Sequence, residues 1–113
     1  MQSKYFNKNE QCLYFFRNID TNNIKIGISY DPLFRLKTLN ANTDCTLTRE
    51  VIIPGGWFLE KSLHIKFSKF CIKREEWFES HFELEQLIKD LKTIMTTTYK
   101  YNKSKGELKW KNI

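Results

Sequence analysis

The chain has little with which to build a disulfide-stapled or membrane-bound protein. Cys12, Cys45 and Cys71 are odd in number and widely spaced, which argues against a disulfide framework and for a reducing compartment. No CxxC pair supports a zinc site, and a Cys–His cluster through His64 or His81 would need unrelated positions to converge. The longest apolar runs, such as Cys12 to Phe16, are too short to cross a bilayer. The first residues lack the basic-then-apolar pattern of a signal peptide. The expectation is an intracellular protein, cytoplasmic or nuclear, without a membrane partner. Acidic residues are also in deficit. Nineteen Lys and Arg face thirteen Asp and Glu, a formal charge of +6. That balance favours a polyanionic partner, because neutralised phosphates release counterions, and it equally suits a solvated lysine-rich surface.

Rings are abundant instead. Nine Phe, five Tyr and three Trp in 113 residues imply one domain with a core filled largely by aromatics. Residues 1–11 are polar and read as an arm. Leu13 to Phe16 are strong strand formers, and Asn18 to Asn23 is a cluster of turn residues. Ile24, Ile26 and Ile28 then alternate with Lys25, Gly27 and Ser29, the period of a half-buried strand. The two runs form a hairpin. Asp31-Pro32 starts a helix whose stripe is Leu33, Leu36 and Leu39 and which fades at Asn40 to Asn42. Residues 46–53 read as a third strand, stopped by Pro54-Gly55-Gly56. Leu59, Leu63, Phe67 and Phe70 make one face of a helix over 57–70. Ser80 with Glu83 reads as a capping box opening a third helix, striped by Leu84, Leu87, Ile88 and Leu91. The order β-β-α-β-α-α makes an α+β domain over 12–95. Residues 96–113 read as a basic tail.

Some side chains invite a chemical reading. Lys25, Gly27 and Ser29 share the strand face opposite the isoleucines. A glycine there marks either a bulge or a group that must approach closely. Arg35 lies one residue off the leucine stripe, placed either in solvent or where its planar fork meets a phosphate. Glu60 and His64 stack at i, i+4. That spacing suits a surface pair as well as metal ligation or proton transfer.

Five segments in order carry a resemblance: Cys12-Leu13-Tyr14, Lys25-Ile26-Gly27, Arg35-Leu36, Glu60-Lys61-Ser62-Leu63-His64 and Glu76-Trp77-Phe78. They resemble the GIY-YIG nuclease superfamily, in a phage- or virus-type branch, over roughly residues 12–90. Cys12-Leu13 replaces the Gly-Ile of the first triplet, and Lys25 replaces the tyrosine of the second. The resemblance implies a three-stranded antiparallel sheet flanked by helices, and cleavage of DNA, double-stranded by expectation, with one Mg²⁺ or Mn²⁺. It implies that Tyr14 activates or positions water, that Arg35 stabilises charge on phosphate and that Glu60 is the carboxylate ligand of the metal. Lys25 and His64 complete the catalytic set, with Gly27 as the motif glycine. Lys25, Arg35, Lys61, Lys100, Lys103 and Lys105 are the expected nucleic-acid contacts, and Tyr99, Tyr101 and Trp110 could stack on bases. Glu76-Trp77-Phe78 is expected to close the core with its rings, Glu76 within reach of the basic site. The alternatives are a DNA-binding or regulatory module without catalysis, and an adaptor for a protein partner.

Overall fold

The computed structural model describes residues 10–74, 76–102 and 107–110, from 97 onward by the backbone alone. Strand β1 (Cys12–Asn18) turns through residues 19–23 into β2 (Ile24–Ser29). Helix α1 (Pro32–Ala41) follows, its first turn capped by the Asp31 carboxylate, which accepts from the Phe34 amide at 3.2 Å. Strand β3 (Leu47–Pro54) leads to α2 (Trp57–Lys66). The expected helix over 57–70 stops early. A 3₁₀ turn occupies Ser68–Phe70, and two short strands follow, β4 (Cys71–Lys73) and β5 (Trp77–Phe78). Helix α3 (Phe82–Thr98) then leads to the pair β6 (Tyr99–Asn102) and β7 (Glu107–Trp110).

The sheet is therefore five-stranded and antiparallel, in the order β3-β1-β2-β5-β4, rather than three-stranded. The difference lies in β4 and β5, which are too short for any periodicity to show in sequence. Helix α3 runs on to Thr98, beyond the expected boundary at 95, and residues 99–102 pair with 107–110. Lys103 and Lys105, like residues 1–9 of the expected arm, lie outside the described residues.

Both sheet faces are covered. On one, Leu13, Phe15, Ile24, Ile26, Val51 and Ile53 pack against Phe67, Leu84 and Ile88, with Leu59, Leu63 and Phe70 from the predicted stripe joining them. On the other, Cys12, Tyr14, Phe16 and Ile52 meet Leu33, Leu36 and Leu39 of α1. The apolar run of β1 thus reads as a centre strand buried on both sides. The expected capping box is not formed. Ser80 donates its hydroxyl proton to Glu85, and His81 Nδ1 accepts from the Glu83 amide at 3.3 Å.

Far from the β2–α1 turn, Arg17 ties the layers together. Its fork meets both oxygens of Glu85 at 2.8 and 2.6 Å, its Nε meets Glu50 at 3.0 Å, and Lys92 holds the other Glu50 oxygen at 2.7 Å. Among the described residues no helix is long and apolar enough to cross a membrane.

Candidate active site at the open edge of the second strand

Tyr14 lies directly opposite Gly27 across the β1–β2 ladder, so both project to the α1 face. The phenol ring crosses the glycine. A Cβ added at Gly27 would stand 2.5 Å from Tyr14 Cζ, well inside any van der Waals contact. The β1–β2 register is unbroken there, so Gly27 is not a bulge. It is the close approach that the isolated glycine in an alternating strand allowed for. Phe16 stacks on the ring, centroids 4.0 Å apart and planes 14° off parallel.

This packing fixes one hydroxyl. Burial pushes the Tyr14 pKa above its ordinary value, the Arg35 guanidinium that hydrogen-bonds it pulls the other way, and the carboxylates of Glu76 and Glu60 add to the rise. The net direction is upward. At neutral pH Tyr14 carries its proton, and the Arg35 guanidinium lies close enough to act on the hydroxyl. Arg35 thus reaches back from α1 over the sheet, although the residue as a whole is exposed.

Lys25 does not stand free on the strand face. It is 5% exposed, its ammonium 2.5 Å from Glu76 Oε1 and 5.8 Å from the centre of the Trp77 ring. The cover comes from β5, 51 positions along the chain. As a direct phosphate contact the ammonium is already engaged. Burial alone would raise the Glu76 pKa, but the Lys25 hydrogen bond and charge, aided by His64 and Arg35, hold it below the usual carboxylate range.

His64 has a backbone role. Strand β5 is two residues long and its Cα pairing with β2 ends at Lys25. The Ile26 amide still finds the Glu76 carbonyl at 2.9 Å, but the Ile26 carbonyl has no further strand to meet. His64 Nε2 donates to it at 2.9 Å, supplying the bond that a longer β5 would have made. That bond places the proton on Nε2, and among the described residues Nδ1 is buried without a partner. The imidazole leans on Phe78, centroids 5.4 Å apart.

One turn before His64 on α2, Glu60 is half-buried. Among the described residues its carboxylate makes no hydrogen bond or ion pair, while its charge is felt at the Tyr14 hydroxyl. The structure therefore gathers Tyr14, Gly27, Arg35 and Glu60, backed by Lys25–Glu76 and by His64. Lys61 instead lines a neighbouring cleft of about 300 Å³ with His64, Ile65, Ser68 and Cys71. Lys100 lies in β6. Glu76 is the member that strand and helix patterns understate, and its only sequence signal is an acid placed just before a pair of rings.

Among the described residues no three His, Cys, Asp or Glu side chains cluster as a metal cage. Cys12 is buried beside Glu10, and burial first, then that charge, pushes its thiol up to about 12, so it is inert as a nucleophile.

No curated protein and no solved structure matches the chain. A family model does, that of the T5orf172 domain, over residues 11–95. This overturns the GIY-YIG resemblance: the matching family is a different one, and the five-stranded sheet is not the three-stranded one the resemblance implied. Five two- to five-residue segments in order were too little sequence to fix a family. The T5orf172 domain is a phage-associated, nuclease-like DNA-binding domain. With three quarters of its length inside that match, the chain belongs to the T5orf172 domain family.

Proposed function

We propose that the domain binds DNA across the β2 edge and hydrolyses a phosphodiester bond there, with one Mg²⁺ or Mn²⁺ held at Glu60. The observation that carries the reading is the placement of three unlike groups about the β2 edge: the Tyr14 phenol over Gly27, Arg35 on the helix that covers that face, and Glu60, a carboxylate without a partner among the described residues, one turn from the His64 bonded to Ile26. The net charge of +6 and the family both support DNA as the partner.

Glu60 fits a hard cation of this kind, because Mg²⁺ accepts one carboxylate and fills its other positions with water and phosphate oxygens. Bound there, the ion would supply charge to the phosphoryl group and lower the pKa of a coordinated water. Arg35 is placed to hold nonbridging oxygens, its planar fork matching two of them as charge gathers in the transition state. Tyr14, protonated at neutral pH, orients water or donates to a departing oxygen. Lys25 and Glu76 act as a positioning pair that keeps the β2 face and the Tyr14 ring in register. His64 holds the open strand edge.

The test is nicking of supercoiled plasmid in Mg²⁺ or Mn²⁺. The wild type should nick, Glu60→Ala should abolish nicking, and Tyr14→Phe should reduce it about a hundredfold or more, the scale of general acid–base catalysis. Undiminished nicking by Glu60→Ala would refute the assignment. A second reading, DNA binding without cutting, is favoured by the raised Tyr14 pKa and the engaged Lys25, which leave no ready base. Salt-sensitive DNA retention with no nicking in either metal would select it.

A further inference from the structure

Among the described residues five aromatic side chains are largely exposed: Tyr30, Phe34, Trp57, Phe58 and Phe82. Four of them gather at one end of the sheet, for a topological reason. Strands β2 and β3 both run antiparallel to β1 and both finish beside Cys12, whose partners are Ser29 and Pro54. Helices α1 and α2 follow those strands after short links, so they begin at that same end. Tyr30 lies in the link just before α1 and Phe34 in its first turn, Trp57 and Phe58 at the start of α2. Tyr14 stands two residues inward from Cys12, about 7 Å along the strand. The two pairs therefore stand at the end of the sheet nearest the Tyr14, Arg35 and Glu60 site, one on the helix of each face.

Rings at 55%, 64%, 61% and 78% exposure for Tyr30, Phe34, Trp57 and Phe58 are a poor use of aromatic surface in a chain whose core already takes so many. Exposed apolar groups gathered beside polar ones mark binding surfaces. Cations are nearby. Lys61 lies four residues after Trp57 and three after Phe58, on the same side of α2, and Arg35 belongs to the first turns of α1 with Phe34. Exposed rings with cations on the same helices suit a nucleotide chain whose bases are free to stack while its phosphates are neutralised. In duplex DNA the base faces are covered by their neighbours, so rings gain little there.

We infer that this end of the sheet binds unpaired nucleotides, so that the substrate of the site is single-stranded DNA or a duplex opened at a junction, rather than an intact duplex. The inference rests on the DNA-binding part of the proposed function and not on cutting. A protein partner or a second copy of the chain is the competing occupant of the rings.

The experiment is fluorescence anisotropy of a labelled oligonucleotide, single-stranded and then annealed to its complement, titrated with the full chain in the presence of a chelator. Wild type should bind the single strand more tightly than the duplex. Trp57→Ala with Phe58→Ala should weaken single-strand binding by roughly tenfold or more per stacked base, leaving duplex binding and its salt slope unchanged because no charge is removed. Phe82→Ala is the control. Phe82 follows β5, whose Phe78 pairs with Ile24 at the opposite end of β2, so its loss should change neither affinity. Single-strand preference in a protein that nicks nothing supports the stacking surface while removing the hydrolytic reading. Nicking of intact plasmid with no single-strand preference removes the stacking surface and leaves the hydrolytic reading. Equal loss of both affinities, or an unchanged affinity with a dimer that dissociates in the Trp57→Ala, Phe58→Ala variant, would overturn the inference.

Discussion

Gly27→Ala isolates the contact on which the site is built. The new methyl would lie 2.5 Å from Tyr14 Cζ, against an ordinary carbon–carbon contact of about 3.5–4.0 Å. The ring must give way by about 1 Å or more. Phe16, stacked on it at 4.0 Å, limits how it can yield, and any tilt displaces the hydroxyl. Forcing a methyl into a packed position costs about 1–3 kcal/mol. Replacing glycine restricts the unfolded chain and offsets about 0.4–1 kcal/mol of that. A net loss of about 1–2 kcal/mol lowers Tm by roughly 5–15 °C for a domain of this size. Circular dichroism melts and urea unfolding measure it. The decisive form is a double-mutant cycle. Tyr14→Ala alone should cost about 3–5 kcal/mol, and about 1–2 kcal/mol less in the Gly27→Ala background, where it relieves the clash. A Gly27→Ala protein that melts with the wild type, or a cycle with no coupling, would refute this account of the glycine.

Three further outcomes follow from the charged pairs. Arg17→Ala leaves Glu50 and Glu85 facing each other without their fork and should cost about 2–3 kcal/mol in urea unfolding, less than a fully buried pair because these groups are partly solvated. The same change should flatten the acid limb of the stability profile. Both carboxyls sit below their unfolded pKa values, Glu50 because Arg17 and Lys92 outweigh its burial, Glu85 chiefly through Arg17. The unfolded chain therefore binds more protons, so their contribution is full above about pH 5 and is lost as pH falls through the folded values. Glu76→Gln strands the buried Lys25 ammonium and should destabilise by about 2–4 kcal/mol, whereas the double change Lys25→Met, Glu76→Gln should recover most of that; a double variant no more stable than the single would contradict the pairing.

Local chemistry made the α1 start and the first hairpin legible. Asp31-Pro32 carries its own cap, and the isoleucine alternation needs no distant partner. Gly27 was legible as an anomaly without a cause, since the ring it admits comes from the neighbouring strand. Lys25 was not. A lysine at an alternating strand position reads as solvent-facing, and it is the distant Trp77 and Glu76 that meet it here. Strand β5 escaped notice because two residues have no period, and with it went the reason for His64, which completes a carbonyl 38 positions away. The Arg17 network joins residues 33 and 68 apart and has no local signature.

The most direct measurement is anomalous scattering from a crystal soaked in Mn²⁺, with Glu60→Gln as its partner. The proposed site predicts one strong peak at the Glu60 carboxylate, facing Tyr14 and Arg35, and none in the variant. A peak elsewhere, or no peak at Glu60 in a protein that nicks plasmid in Mn²⁺, would contradict it.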